Sequence, residues 1–395
     1  MIAMIFSALF LPRAFLSACM ILFIAVCFFR GEIKQQFSNF FQSPLLWGMS
    51  ILFLLPLISG LWSEDQDEWL KTIRIKLPLF FLPLAFAGLS FFKKEDWERT
   101  GIVLVILVVA GTMWSMAHYF SQMTEVHAGY LRSVIIKTPL ENDHVRFSWL
   151  VNIAIITAMW IGLQKRKQSP FLTSTIFAAA IWLIIFLHIL AARTGLLCFY
   201  VCVVITALWL VFTKAKRIFA IAMLLIVAAL PFIAYKTLPT FQNRVKYFLY
   251  DLPYFTKANY LEGGNDAMRI ISVKAGWNIM NNHPLAGVGF GDVQSKTNEW
   301  YNANYPQMKN ADKILPSSEW LIYGAGSGWP GLIIFSLIMI IPFILKNIKN
   351  YLPWYLICTS TALMFLFDIG LEVQFGVFLY SFVLLWWWRW MTIEM

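Results

Sequence analysis

Residues 171–190 read FLTSTIFAAAIWLIIFLHIL, an apolar run that contains no Asp, Glu, Lys or Arg. Since an α-helix rises about 1.5 Å per residue, this run is long enough to cross a hydrocarbon core of about 30 Å. Lipid offers the backbone no hydrogen-bond partner, so such a segment satisfies its own amides by folding as a helix. The stretch therefore predicts a membrane-spanning helix.

Similar runs recur along the chain, which has 395 residues, is 59% hydrophobic and is only 13% charged. Soluble domains carry about 25% charged residues, so the composition argues against a soluble multidomain protein. Further spans are predicted at 44–62, 73–91, 101–121, 147–163, 195–213, 218–235, 328–345, 351–369 and 371–388. The apolar N-terminal segment, interrupted at Pro12 and Arg13, adds one retained span or a re-entrant hairpin.

Basic residues mark one side of these spans. Its short loops contain Arg30, Lys34, Lys93, Lys94, Arg99, Lys165, Arg166, Lys167, Lys214, Lys216, Arg217, Lys346, Lys349 and Arg389. By the positive-inside rule this side is the cytoplasm, which places 63–72, 122–146 and 236–327 outside. The net charge of +10 is mostly this topology signal, together with attraction to anionic membrane lipid. The C-terminal tryptophans are predicted to form an interfacial aromatic belt, made of Trp386, Trp387, Trp388 and Trp390.

These patterns predict an all-α polytopic membrane bundle of eleven or twelve transmembrane helices. The N-terminal transmembrane bundle covers residues 1–235, a long outer loop with short helices covers 236–327, and C-terminal transmembrane helices cover 328–395. All five cysteines lie within apolar runs, so neither a disulfide framework nor a cysteine metal site is expected. We find no nucleic-acid motif, no phosphate-binding P-loop and no internal repeat, and expect no cofactor.

The outer loop contains the string NNHPLAGVGFG at residues 281–291. A tight turn followed by three alternating glycines is backbone suited to close approach, because glycine has no Cβ. We therefore expect Gly287, Gly289 and Gly291 to lie against the bundle or a substrate. His283, the titratable residue of the string, is a candidate catalytic base, and a role in capping backbone is the alternative.

Residues 266–282 are predicted to form an amphipathic helix with Asp266 as its N-cap. Arg269 falls in the first turn, where a cation opposes the helix dipole. Binding an anion such as a diphosphate would explain this placement, since a guanidinium matches phosphate oxygens. A salt bridge to Asp266 or Glu262 is the alternative.

Other charged residues lie where spans meet the outer surface. Arg193 interrupts an apolar stretch, which favours a functional role over simple snorkelling to head groups. His144 and Arg146, with Asp143, form a compact acid–base and anion-binding group, or else part of an interfacial belt. Arg74 and Lys76 at the entrance of the third span add further cations, unless they merely flank that span.

The ordered strings resemble a known family. The string ARTGLL at 192–197, then Arg269, Trp277 and HPLAGVGFG at 283–291, are similar to segments of the O-antigen ligase and polymerase superfamily. The resemblance covers roughly residues 170–345. It implies a GT-C-like bundle that performs inverting, metal-independent glycosyl transfer at the outer face of the bacterial inner membrane, with the long loop in the periplasm. It also implies an undecaprenyl-diphosphate-linked glycan donor, a lipid A core or other saccharide acceptor, and diphosphate-binding roles for Arg193 and Arg269.

The sequence departs from the family at one position. Where family members usually have a candidate catalytic histidine, this chain has Ser317, followed by Ser318 and Glu319. A serine hydroxyl is not a general base at neutral pH without help. We therefore expect Ser317 to contact substrate, and Glu319, His144 or His283 to act as the base.

Two other functions remain open from sequence. A polymerase that joins repeat units is the alternative within the same family. A transporter of lipid-linked sugars is the alternative from another class, although transporters usually show internal repeats and midplane charges. The concentration of polar residues in one outer loop favours an enzyme.

Overall fold

The computed structural model describes residues 1–30, 32–89, 93–212, 217–345 and 351–393. Within these ranges the regular elements are helices, and no strand occurs in them. The all-α prediction is therefore confirmed. The helices are α1 Ile2–Ala8, α2 Arg13–Arg30, α3 Ile33–Gln42, α4 Pro44–Ser59, α5 Gln66–Lys76, α6 Pro78–Ala87, α7 Lys94–Ser121, α8 Met123–Tyr130, α9 His144–Lys165, α10 Pro170–Leu190, α11 Arg193–Phe212, α12 Arg217–Thr237, α13 Pro239–Lys257, α14 Asp266–Asn282, α15 Val293–Asn304, α16 Glu319–Ile344, α17 Leu352–Phe367, α18 Gln374–Phe378 and α19 Leu384–Ile393.

Six of the described helices, α7, α9, α10, α11, α12 and α16, are long and apolar enough to cross a membrane by themselves. The sequence predicts eleven or twelve spans. This number exceeds the six long helices because several predicted spans are short or divided in the structure. The span predicted at 73–91 is split between α5 and α6, because a new helix begins at Pro78. Helices α4 and α17 are apolar but have only 16 residues each.

The N-terminal segment forms two helices, α1 and α2, which pack against each other around a break at residues 9–12. This arrangement corresponds to the hairpin alternative. Both helices also contact the C-terminal end of the chain, since the rings of Phe6 and Trp386 lie 5.3 Å apart and those of Phe23 and Phe382 lie 5.2 Å apart. The two ends of the chain therefore share one core.

The prediction of a C-terminal aromatic belt is wrong. Trp386, Trp387 and Trp390 are fully buried, and Trp388 is 9% exposed. Phe6 packs edge-to-face on Trp386 and on Phe382, and Phe382 in turn contacts Phe23. The aromatic run faces protein because α19 packs against α6, α7 and α17, and Phe6 of α1 covers Trp386. Composition does not reveal these long-range contacts. Among the predicted cytoplasmic basic residues, Lys214, Lys216, Lys346 and Lys349 lie outside the described residues.

The segment between α12 and α16 forms a helical layer at one end of the bundle. As predicted, its central helix runs from Asp266 to Asn282, and this helix, α14, packs against α13 and α16. Its buried residues Met268, Ile271 and Ala275 form a small core with Tyr301. This core holds α14 against α15 within the helical layer.

Helix α16 is broken inside the protein. Ser327 and Gly328 leave helical geometry, and Gly328 has φ 67° and ψ −163°. The glycine string fills this break, because Val288 N–H donates to Ala325 C=O at 2.8 Å and Gly289 N–H donates to Gly326 C=O at 3.1 Å. The close approach expected of the string is therefore made to α16.

Candidate functional site

A cavity of about 850 Å³ lies where the helical layer meets the bundle. Its titratable lining residues are His144, Arg193, Arg244, Asp266 and Arg269. The remaining wall is mainly apolar and includes Leu197, Phe248, Phe255, Ile270, Val273, Trp277, Trp320, Leu321, Leu332, Leu366 and Phe367. The cavity thus combines a cluster of positive charge with a large apolar surface.

Four helices begin at this cavity, namely α9, α11, α14 and α16, whose first or preceding residues line it. Unpaired amides and the helix dipole make a helix N-terminus favourable for negative charge. His144 starts α9, and Asp143 caps that helix by accepting the Arg146 N–H at 3.1 Å. The Asp143 carboxylate offsets this effect at α9, so the positive charge of the cavity comes mainly from the arginines.

Arg193 begins α11 and forms an ion pair with Asp266 of α14. This pair links the bundle to the outer helical layer across the cavity. The sequence suggested Asp266 as a partner for Arg269, but the structure gives it to Arg193. Asp266 therefore holds one cavity arginine in position.

Arg269 lies in the first turn of α14, and its guanidinium is held by acceptors at the end of α17. Nη1 donates to Phe367 C=O at 2.7 Å, and Nη2 lies 3.5 Å from an Asp368 carboxylate oxygen. Nε donates to Asn265 Oδ1 at 3.2 Å. These contacts orient the fork and leave part of the side chain on the cavity wall.

Arg146 lies behind this arrangement and does not line the cavity. Its guanidinium is 3.3 Å from the other oxygen of Asp368, so Asp368 bridges Arg146 and Arg269. Arg146 also donates to Ile369 C=O. The residues predicted as one group at 143–146 are therefore separated. His144 lines the cavity, whereas Arg146 lies behind it and contacts Asp368.

Arg244 is a third arginine on the cavity wall, and sequence reasoning did not single it out. It is almost fully buried, and its Nη1 donates to Ser133 Oγ at 3.2 Å. The sequence offered only the helical spacing of Thr240, Arg244, Tyr247 and Asp251, which is equally typical of a solvent face, whereas in the structure all four are buried. A polar stripe on the inner face of a helix indicates a site.

Asp251 caps α14 from the neighbouring helix α13. Its carboxylate accepts the amides of Asn265, Asp266 and Ala267 at 3.2, 2.7 and 3.4 Å. Burial raises the pKa of Asp251, and these amides lower it again in part. The prediction that Asp266 is the N-cap is wrong, because the cap comes from a residue distant in sequence.

Removal of this cap has a measurable consequence. We expect Asp251→Ala to destabilise the fold by about 1–3 kcal/mol, because three amides of α14 lose their acceptor. The measurement is thermal unfolding of the purified protein in detergent. The exposed Asp67→Ala variant on α5 is the control, and an equal unfolding temperature for both variants would show that the cap contributes nothing.

The structure does not bring every predicted site residue to the cavity. Glu319 is fully buried and accepts the Leu371 N–H. Lys76 is also fully buried and pairs with Glu372 at 2.6 Å. Arg74 and His283 are exposed and do not line the cavity.

The three glycines do not line the cavity either. A Cβ on Gly287 would lie 2.4 Å from Ala325 O, and one on Gly289 would lie 2.3 Å from Ser63 Oγ. A Cβ on Gly291 would lie 2.4 Å from Asp65 O. The glycine string therefore packs against other parts of the protein, and it affects the cavity only through these contacts.

Ser317 does line the cavity, just before the start of α16. Its amide donates to Ser272 Oγ at 3.1 Å, and the two hydroxyl oxygens lie 3.0 Å apart. Ser272 belongs to α14, one turn beyond Arg269. Ser317 thus ties α16 to the helix that carries this arginine.

Residues 178–336 match the protein family described as O-antigen ligase. This matched part covers less than half of the chain, and it is what the chain shares with that family. The matched residues include Arg193, Arg244, Arg269 and Ser317, while His144 and Asp368 lie outside them. No curated protein matches the chain. Together with this similarity, the long apolar helices indicate a multi-pass membrane protein.

Proposed function

We propose that this O-antigen ligase family member transfers a glycan from undecaprenyl diphosphate to a lipid A core or other saccharide acceptor. The reaction takes place at the outer face of the bacterial inner membrane, with the segment between α12 and α16 in the periplasm. The observation that carries the proposal is the cavity that joins three arginines to an apolar wall.

The two halves of the cavity suit the two halves of such a donor. Guanidinium groups bind phosphate oxygens through paired N–H donors, and Arg193, Arg244 and Arg269 provide three of them on one wall. Leu197, Leu332 and Leu366 belong to apolar helices and provide an apolar surface for a polyprenyl chain. Neither a free sugar nor a free nucleotide would use both surfaces.

The proposed chemistry is a single displacement with inversion. An acceptor hydroxyl oxygen bonds to the anomeric carbon, and the bond from that carbon to the diphosphate oxygen breaks. The diphosphate leaves with the electron pair, and the hydroxyl proton passes to a base. Cations placed where negative charge develops usually contribute more to the rate of such a reaction than any other single effect. We propose that the arginines take this charge without a metal ion, so transfer should persist in the presence of EDTA.

His144 is the proposed base. Of the three candidates from sequence, it is the one that lines the cavity with the arginines. A general base must lie within hydrogen-bond reach of the proton that it accepts. Glu319 faces Leu371 and the bundle interior, and His283 lies outside on the surface.

The base assignment predicts different results for two variants. We expect His144→Ala to lower glycan transfer by about a hundredfold or more, the usual contribution of a positioned base. Glu319→Gln keeps the volume of a buried side chain that lies outside the cavity. This variant should therefore retain most of the glycan transfer per amount of protein in the membrane. Full transfer by His144→Ala would refute His144 as the base. Complete loss of transfer by a normally folded Glu319→Gln protein would instead assign the base to Glu319.

A repeat-unit polymerase would use the same donor cavity and a different acceptor. The family match includes both activities, and the acceptor decides between them. A deletion strain separates them by glycan length. Carrier-linked polymer accumulates if a ligase is lost, and single units on lipid A core accumulate if a polymerase is lost.

A further inference from the structure

One serine hydroxyl connects two of the cavity arginines from behind the cavity wall. Ser133 belongs to the connection between α8 and α9, and its Oγ accepts Arg244 Nη1 at 3.2 Å and Asn265 Nδ2 at 2.9 Å. Asn265 Oδ1 in turn accepts Arg269 Nε at 3.2 Å. A serine oxygen has two lone pairs, so both accepting positions of Ser133 are used and the hydroxyl is fixed in place. Ser133 does not line the cavity, and the proposed function assigns it no role.

The backbone at Ser133 adopts a conformation in which glycine or asparagine is usual. Ser133 has φ 65°, in the left-handed region, and it follows the end of α8, where the Val134 N–H donates to Gly129 C=O at 3.0 Å. Glycine or asparagine commonly occupies the left-handed residue of such helix ends, because other side chains are strained there. Strain of this kind is found preferentially at functional sites. The contact of the Ser133 hydroxyl with Arg244 is a role that glycine could not fill.

Arg244 depends on this hydroxyl because no carboxylate holds it. Arg193 pairs with Asp266, and Arg269 contacts Asp368. Among the described residues, no carboxylate lies within ion-pair distance of Arg244, and its Nε and Nη2 donate to no acceptor, although the side chain is only 5% exposed. Burial lowers the pKa of Arg244, the direction expected of a cation whose charge is poorly compensated. A buried cation without a counter-charge gains more from a bound anion than a paired cation does.

A hydroxyl suits this task because it orients the guanidinium without neutralising it. A carboxylate in the place of Ser133 would pair with Arg244 and compete with an incoming phosphate. The hydroxyl uses one donor of Nη1 and leaves the other donors of a side chain that lines the cavity. A guanidinium has five N–H donors, and pairs of them bind phosphate oxygens. Arg244 is therefore held with its charge open to a ligand.

We propose that Ser133 is a positioning residue for the donor, whose hydroxyl holds Arg244 so that this arginine binds phosphate oxygens of a lipid diphosphate. The identification of this anion with the glycan donor rests on the proposed function, while recognition of a diphosphate by the Ser133–Arg244 pair does not. Ser133 lies outside residues 178–336, so this part of the site comes from a segment that the family match does not include. A serine that only ends α8 is the alternative.

The test is binding of farnesyl diphosphate, a short polyprenyl diphosphate, to the purified full-length protein in detergent, measured by isothermal titration calorimetry. Ser133→Gly removes the hydroxyl and relieves the left-handed backbone. This variant should unfold near the wild-type temperature and still bind about tenfold more weakly, as for the loss of one hydrogen bond to a charged group. Ser133→Asn tolerates the backbone and keeps a side-chain oxygen, so it should restore most of the affinity.

Ala258→Gly is the matched control, because Ala258 is another left-handed residue, with φ 48° at the end of α13, and has no polar side chain. It should bind farnesyl diphosphate normally. No binding by the wild-type protein, or wild-type affinity in Ser133→Gly, would overturn the proposal. A Ser133→Asn protein that binds as weakly as Ser133→Gly would also overturn it.

Two further variants show whether the effect passes through Arg244. Ser133→Asp accepts the same hydrogen bonds but pairs with the guanidinium, so it should weaken farnesyl diphosphate binding at least as much as Ser133→Gly. In the Arg244→Met background, Ser133→Gly should cause no further loss, because the side chain that it positions is absent. Additive losses, or normal binding by Ser133→Asp, would contradict the proposal.

Transfer kinetics separate this inference from the proposed function. Ser133→Gly should raise the donor KM by about tenfold and leave kcat near the wild-type value, because Arg269 keeps its own acceptors at the end of α17. A fall in kcat with an unchanged donor KM would contradict the positioning role. If Arg269→Ala retains transfer while Ser133→Gly weakens farnesyl diphosphate binding, the proposed function fails and the Ser133–Arg244 pair stands. If Arg269→Ala abolishes transfer while Ser133→Gly binds normally, the pair fails and the proposed function stands.

Discussion

Replacement of Arg269 by alanine is expected to lower glycan transfer by about a hundredfold to a thousandfold, the range for loss of one preorganised charge donor. The reason is its position in the first turn of α14, where Phe367 C=O and Asp368 orient the guanidinium on the cavity wall. The measurement is glycan attached in a complemented deletion strain, normalised to the amount of protein in the membrane.

Two variants sharpen this expectation. Arg269→Lys keeps the charge and loses the planar fork, so it should recover only part of the activity. Arg74→Ala removes an exposed arginine outside the cavity and should transfer at the normal rate. If Arg269→Ala transfers normally when present at the normal level, the arginine clamp is refuted.

Gly287→Val is expected to destabilise the fold by at least about 3 kcal/mol, because strain and overlap act together. Gly287 has φ +67°, and a Cβ there would lie 2.4 Å from the Ala325 oxygen and from the Ser327 nitrogen. These are backbone atoms at the break of α16 and have no alternative rotamer. Size-exclusion chromatography in detergent should show aggregated or absent protein.

A matched glycine separates strain from overlap. Gly263 has φ +68° and nothing within 4 Å of an added Cβ. Gly263→Val should therefore cost only the conformational strain, about 1–2 kcal/mol, and remain monodisperse. Equal behaviour of the two variants would show that the contact between the glycine string and α16 is unimportant for the fold.

Much of the fold was predictable because it depends on local pattern. Apolar runs predicted helices wherever one run is long enough to stand alone, as in α10 and α11. The helix at 266–282 and the close approach of Gly287 also followed from residue type and spacing. These features need information from only a few neighbouring residues.

The errors arise where distant segments decide the environment. Trp386 is buried because Phe6 of α1 and Thr100 of α7 contact it. Asp251 replaces Asp266 as the cap because α13 packs beside α14. Glu319 faces the bundle interior because its carboxylate accepts an amide from residue 371. No local pattern around these residues contains their partners.

The site shows the same division. Arg193 and Arg269 stood out because a charge in an apolar run and a cation at a helix start each oppose a local rule. Arg244 follows a local rule, since a polar stripe on an amphipathic helix looks like an ordinary solvent face. The burial of Arg244 depends on Ser133 and the cavity wall, and Ser133 is distant from Arg244 in sequence.

We propose that this cavity binds the lipid diphosphate of a glycan donor and releases it on transfer. The most direct measurement is release of undecaprenyl diphosphate from carrier-linked glycan by the purified protein, with and without lipid A core acceptor. We expect release that depends on acceptor, equals the glycan transferred, and is lost in the Arg193→Ala, Arg244→Ala and Arg269→Ala variants. Acceptor-independent release, or no transfer by the folded wild-type protein, would contradict it.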